Sequence, residues 1–155
     1  MNADPRVMEY FPAPLGRAES DELLGKILAH FGTHGFGPWL VEERASGEFL
    51  GFTGLMIPTF DAEFTPAVEI GWRYARSAWG HGYASEAARA CLAYGFDALN
   101  LERVVSFTSR LNLRSIAVME RIGMRFDSHF EHPKLETGDR LRPHVLYVID
   151  RPAGD

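Results

Sequence analysis

Two strand-like runs enclose a helix whose one face is nearly bare of side chains, and this arrangement limits the folds open to the chain more than any other feature. Residues 67–74, A-V-E-I-G-W-R-Y, read as a strand, and 103–108, R-V-V-S-F-T, have the β-branched content of a buried one. Between them, from about Gly82 to Leu99, Ala84, Ala87, Ala88, Cys91, Gly95 and Ala98 recur at helical spacing. A stripe of such small residues lets a helix axis approach a sheet closely, with Leu92, Phe96 and Leu99 flanking the contact. A strand–helix–strand crossover implies that the two strands lie parallel.

The remaining segments attach to this unit. Leu23, Leu24, Ile27, Leu28 and Phe31 form one apolar stripe on a helix over 18–31, with Ser20 or a neighbour as its cap. Runs 39–44 and 49–57 read as strands joined by a short hairpin through A-S-G-E, and the stretch from Pro58 to Pro66 breaks the pattern. After the 103–108 run, residues 112–124 read as a short helix stopped at Gly123. Strands at 125–130 and 144–149 close the chain across a polar loop. The expected order is helix, three strands, helix, strand, helix, two strands: a mixed α/β chain.

At 155 residues, without an internal repeat or a long linker, the expectation is one domain over 1–155. The net charge of −5 gives little attraction for nucleic acid or an anionic membrane and suits a cationic acceptor such as an amine. The single Cys91 excludes an intramolecular disulfide and fits a reducing cytosol. No apolar run is long enough to span a bilayer, and the opening MNADPRVMEYFPAP has none of the regions of a signal peptide, so a cytoplasmic location is expected.

The turn ahead of the small-faced helix reads S-A-W-G-H-G-Y-A-S-E-A-A-R over 77–89. A dinucleotide fingerprint needs a third glycine where Ser85 stands, and the Gly-Lys-Ser/Thr of a P-loop is absent. What remains is a strand, a turn with Gly80 and Gly82, and a helix whose free N–H groups and positive dipole end point into that turn. Such geometry suits an anion, a pyrophosphate above all. A tight turn that uses glycine for backbone reasons alone is the competing reading.

Three motifs in order resemble the GNAT superfamily of acyl-CoA-dependent N-acyltransferases: V-E-I-G-W at 68–72, W-G-H-G-Y-A-S-E-A at 79–87, and N-L-R-S-I-A-V-M-E-R-I-G-M at 112–124. Within that superfamily the chain looks most like the RimJ/RimL-type branch, and H-P-K-L-E-T-G-D-R-L-R-P-H-V-L-Y at 132–147 agrees with it. Two departures stand out. Ser77 occupies a position where Gln or Arg is usual, and Met124 one where Phe is usual. The resemblance implies a largely antiparallel twisted sheet flanked by helices, with a parallel pair splayed at a CoA cleft. It also implies a first strand and helix ahead of N-A-D-P-R-V-M-E-Y-F-P; either the start is placed too late or that strand is lacking, and its lack would open a sheet edge to pairing with a second copy.

By the same resemblance, the backbone of Trp72, Arg73 and Tyr74 pairs with the pantetheine arm of acetyl-CoA. N–H groups across Trp79, Gly80, His81, Gly82, Tyr83 and Ala84 hold its pyrophosphate, and Asn112 bonds the pantetheine. Read from spacing alone, Asn112 and Ser115 equally form a helix N-terminal cap. Glu69 is the candidate general base, because strand alternation turns it away from Val68 and Ile70. An exposed strand glutamate in an ion pair is the alternative. Met119 stands where many relatives place an acid tyrosine, and the branch resemblance makes Ser115 the candidate proton donor instead.

His30 and His34 have i,i+4 spacing but no evident third ligand, so no metal is expected. His129, His132 and His144 read as structural, and Cys91 as an inert buried thiol. Met8, Tyr10, Phe11 and Trp39 either wall an acceptor pocket or pack the core. The expected activity is transfer of an acetyl group from acetyl-CoA to a primary amine, by direct attack in a ternary complex. A CoA-binding protein without catalysis, or another nucleotide-binding α/β protein, is the alternative.

Overall fold

A computed structural model describes residues 1–153. Its elements are α1 (Arg17–His34), β1 (Pro38–Glu42), β2 (Phe49–Met56), β3 (Glu69–Tyr74), a short 3-10 turn (Arg76–Ala78), α2 (Tyr83–Asp97), β4 (Arg103–Ser109), α3 (Leu113–Arg121), β5 (Arg125–Glu131) and β6 (Pro143–Asp150). These are the helices and strands expected from the sequence, in the expected order. They build one six-stranded sheet ordered β1-β2-β3-β4-β6-β5. β3 and β4 are parallel, and every other neighbouring pair is antiparallel. The parallel pair is the one that the β3–α2–β4 crossover requires.

The core lies mainly between the sheet and the two later helices. Leu55, Ile70, Val104, Val145 and Tyr147 meet Ala88, Cys91, Leu92 and Phe96 of α2 and Met119 of α3. The small-residue stripe does part of what its spacing predicts. Ala88, Cys91 and Gly95 are buried, Ala98 is exposed, and Ser85, outside the stripe, is buried instead. The opposite sheet face carries a smaller cluster of Val105, Leu146 and Val148 beneath Phe64, Phe107 and Phe130.

The α1 stripe departs from expectation. None of its residues is buried, and Leu24 and Leu28 are 53% and 61% exposed. Amphipathic spacing records a face that can be buried, and here Leu23, Ile27 and Phe31 are half-buried, Phe31 edge-on against Trp39, while Leu24 and Leu28 stay open. β1 likewise pairs only with β2 and forms the edge of the sheet. His30 anchors the C-terminal end of α1. Its Nδ1–H donates to the Phe36 carbonyl at 2.8 Å, and its Nε2 accepts from the Ile57 amide at 3.1 Å. With both ring nitrogens so engaged, His30 is a brace between elements and has none left for a metal. No helix among the described residues is long and apolar enough to cross a membrane.

Candidate active site

The site begins where β3 and β4 part. Glu69 and Val105 are the only register pair of this parallel ladder, and the Val105 amide donates to the Val68 carbonyl at 2.9 Å. One residue further, the Ser106 hydroxyl donates to the Ile70 carbonyl at 2.8 Å in place of a backbone bond. Beyond that point the β4-facing edge of β3 has no strand beside it, from Gly71 to Tyr74. Trp72, Arg73 and Tyr74 lie along this bare edge. The Tyr74 carbonyl is already engaged, since it accepts from the Trp79 indole at 3.1 Å. The Trp72 side chain packs into the core on the α2 side.

The open end of the splay meets the N-terminus of α2. Gly80 and Gly82 have φ of 80° and 86°, a region costly for residues with a Cβ, and Gly82 is the N-cap without any side-chain capping bond. A Cβ placed on either glycine would meet nothing within 4 Å. The space beside the turn is therefore open, and the first-turn N–H groups of α2 face it uncapped.

α3 runs alongside this turn and brings two guanidinium groups to it. Arg114, in its first turn, lies with Cζ 4.5 Å from the Trp79 ring centre, and Arg121, in its last, donates to the Ser85 hydroxyl at 3.2 Å. Open N–H donors at a helix start between two guanidinium groups fit a pyrophosphate. His81 is exposed and stacks loosely on Tyr83, whose hydroxyl donates to Glu43 at 2.7 Å.

Strand alternation puts Glu69, Gly71 and Arg73 on the sheet face opposite α2, as expected for Glu69. The Glu69 carboxyl makes no ion pair or hydrogen bond among the described residues, and burial pushes its pKa up to about 8. The competing picture of an exposed, salt-bridged glutamate does not hold. Across the splay, Asn112 caps α3, with Oδ1 accepting from the Ser115 amide at 3.2 Å. Its Nδ2 donates to the Thr108 hydroxyl at 3.1 Å and to the Ser115 hydroxyl at 3.0 Å. The capping reading of Asn112 is therefore realised, and its amide protons already have acceptors. Ser115 Oγ accepts from Asn112 and keeps its own proton to give. Met119 is buried in the core and has no proton to offer.

The four apolar residues considered for an acceptor wall separate. Trp39 stacks edge-on with Phe31 and Tyr94 on the α2 side. Met8, Tyr10 and Phe11 belong to an N-terminal segment that reaches the Glu69 side of the sheet. There Phe11 covers the Arg73 guanidinium at 4.2 Å, Tyr10 lies 5.6 Å from Arg114, and Glu9 pairs with Arg114 at 2.9 Å. Cys91 is buried and its thiol is pushed up to about 11, as suits an inert core residue. His132 and His144 sit 4.8 Å apart among Phe60, Phe107 and Phe130. Burial lowers the pKa of His132 to about 4. Among the described residues no three His, Cys, Asp or Glu side chains gather as a metal site.

Sequence reasoning missed Ser106, Arg114, Arg121 and the Arg73 side chain. Arg114 and Arg121 lie inside the 112–124 motif, so their charge beside an expected anion site was a usable signal. Nothing in the sequence marks Ser106 as the residue that ends the β3–β4 ladder.

Comparison with known proteins bears on the family and the fold. A family model described as Acetyltransferase (GNAT) domain matches residues 1–125. An uncharacterised Bacillus subtilis protein, YkkB, is 35% identical over 123 residues, spanning 79% of this chain and 70% of its own. The FsC-acetyl coenzyme A-N(2)-transacetylase of Aspergillus fumigatus is 33% identical over 164 aligned positions, covering 97% of this chain and 67% of that enzyme. Among solved structures, a GNAT-family acetyltransferase from Bacillus anthracis superimposes with a TM-score of 0.78 at 26% identity, over 97% of this chain and 84% of that one.

Proposed function

The chain belongs to the GNAT acetyltransferase family, and from that premise we propose that it transfers the acetyl group of acetyl-CoA to a primary amine by direct attack within a ternary complex. The observation that carries this reading is the bare edge of β3 beyond Ile70, opening onto the uncapped start of α2, with the unpartnered Glu69 carboxyl beside the point of splay. Acetyl-CoA would supply an activated acyl group and a thiolate leaving group. The Trp72 and Arg73 backbone would receive its pantetheine arm, and the turn from Trp79 to Ala84 its pyrophosphate, with Arg114 and Arg121 adding charge. Asn112 acts mainly by holding Ser115 in place.

Glu69 takes the proton of the amine. A carboxyl with a pKa of about 8 is a stronger base than an ordinary glutamate and still ionises near neutral pH. It matches an α-amine, whose pKa is about 8, better than a lysine near 10.4. Ser115 donates a hydrogen bond to the leaving thiolate, with the Asn112 amide holding the hydroxyl oxygen, and the proton that Glu69 took balances the thiolate's charge. The RimJ/RimL-like motifs favour a peptide α-amine as acceptor, and the name of the Aspergillus relative, with its N(2) position, favours a small-molecule amine. The proposal takes in both classes. It also includes a cytoplasmic location, which the single buried thiol suits, and a homodimer formed along the β1 edge.

Thermal-shift titration tests the donor: acetyl-CoA raises Tm, and NAD and ATP do not. Equal stabilisation by all three would return the chain to a general nucleotide-binding reading. Thiol release from acetyl-CoA, assayed with N-terminal peptides and small amines, then separates an enzyme from a silent binder.

A further inference from the structure

Arg73 carries a charge that the described chain leaves without an anion. It shares the sheet face of Glu69 and Gly71. Its Nη1 donates to the Asn2 side-chain oxygen at 3.1 Å, and its Cζ lies 4.2 Å from the Phe11 ring centre and 5.4 Å from that of Phe52. Its Nε is buried without a hydrogen-bond partner, the one side-chain atom so placed among the described residues. None of the ion pairs among those residues includes Arg73. Burial draws its pKa down to about 10, so it stays charged at neutral pH.

A guanidinium whose Nε is shut off from water, and which is held by one neutral amide and two ring faces, is under-compensated, because a cation drawn out of water needs an anion or a full set of acceptors. The free Nε and the Nη on its side form the fork that fits a carboxylate by two parallel hydrogen bonds. Glu69 does not fill that role. It stands four residues back on β3, roughly 13 Å away along the strand, and its carboxyl has no partner. Gly71 lies between them without a side chain, and only Met56 Cε and Glu69 Oε1 lean towards the space, at 3.0 and 3.6 Å from where a Cβ would sit.

We infer that Arg73 is a specificity-determining residue that binds a carboxylate on the acceptor, so that the substrate is an amino acid-like molecule with its reacting amine at Glu69 and its acid group at Arg73. The inference rests on the acetyltransferase reading above and narrows its acceptor class. Binding adds a charged acceptor beside the neutral Asn2 oxygen already on Nη1 and gives Nε its missing partner. The strip over Gly71, into which Met56 Cε now leans, takes the aliphatic stretch between the two ends once that flexible side chain yields. A polyamine, which brings only positive charge, would face Arg73 unfavourably.

Calorimetric titration of the full chain, saturated with CoA, compares 6-aminohexanoate with 6-aminohexanamide, which differ only in the charge at the far end. The acid should bind at least about tenfold more tightly, as expected for hydrogen bonds to charged partners. Arg73→Gln should bring the two ligands to equal affinity, and Arg73→Lys should recover part of the difference, since lysine keeps the charge and loses the fork. Asn2→Ala, which takes from the guanidinium its one hydrogen-bond acceptor, should tighten the acid severalfold; it keeps the inference testable if the Arg73 variants do not fold. Equal affinities in the unmodified protein, no binding of either ligand, a preference that survives Arg73→Gln, or no gain in Asn2→Ala would overturn it. A parallel titration with CoA alone separates the two proposals. If CoA binds and the acid preference is absent, only this inference fails, and if CoA does not bind, the acetyltransferase reading fails first.

Discussion

Glu69 shows how one residue's surroundings set both chemistry and stability. Its carboxyl gains no hydrogen bond among the described residues, and burial raises its pKa to about 8. A raised carboxyl pKa means that the folded chain holds this proton more tightly than the unfolded chain does. Its contribution to stability is therefore most favourable below the usual carboxyl range. It is lost as pH rises from there towards 8, where the folded form ionises as well. Glu69→Gln should thus stabilise the fold at pH 8 by roughly 1–2 kcal/mol, read as a higher Tm, if it behaves like other relieved buried polar groups. The same change should lower kcat by about a hundredfold, the smaller end of general-base effects. In the unmodified protein kcat should climb with pH to a plateau above about 8. Unchanged kcat for both α-amines and lysine-like amines, measured by thiol release across pH 6 to 9, would remove Glu69 as the base. At Gly82 the limit is conformational. With φ at 86° and open space where a ligand's phosphate would approach, Gly82→Val should cost about 1–2 kcal/mol of stability and abolish the thermal shift by acetyl-CoA. Full retention of that shift would remove the turn as the cradle.

Among the elements, the parting of β3 from β4 does most for function, and a side chain ends it. Ser106 sits in a buried strand, and its hydroxyl serves the Ile70 carbonyl where a continuing ladder would have used a backbone amide. Ser106→Ala removes the donor and adds no bulk at this buried position. It should cost about 1–3 kcal/mol by leaving a buried carbonyl unpaired, with a matching fall in the urea midpoint. If stability is kept, Ser106 is only a passenger at the splay. The helices differ in how fully their patterns are used. In α2 the middle of the small face, Ala88, Cys91 and Gly95, is buried, whereas in the apolar stripe of α1 no residue is buried and Leu24 and Leu28 are exposed. Periodicity marks which face is apolar. Whether that face is covered depends on what else the fold brings to it.

Across the whole molecule, an N-terminal segment ties the site together over long stretches of sequence. Glu9 pairs with Arg114 at 2.9 Å, its carbonyl accepts from Arg140 at 3.0 Å, and Asn2 accepts from Arg73 at 3.1 Å. The Glu9–Arg114 pair is largely exposed, so it holds the segment in place while adding at most about 1 kcal/mol to stability. Glu9→Gln should leave Tm nearly unchanged and speed amide exchange in residues 2–11 more than in the sheet. Equal protection of both regions by exchange mass spectrometry would mean that the segment does not depend on this pair. From the sequence alone came the element order, the parallel crossover, the glycine turn at a helix start, and the face on which Glu69 lies. Each of these follows from local rules: side-chain period, the steric freedom of glycine, and the alternation of a strand. Only the tertiary structure decided that Ser106 ends the ladder, that Asn112 spends its amide on Thr108 and Ser115, that Arg114 and Arg121 flank the turn, and that Arg73 is left without an anion. Those are meetings between residues far apart in the chain. Burial and pairing depend on which distant groups arrive, and local pattern does not encode that.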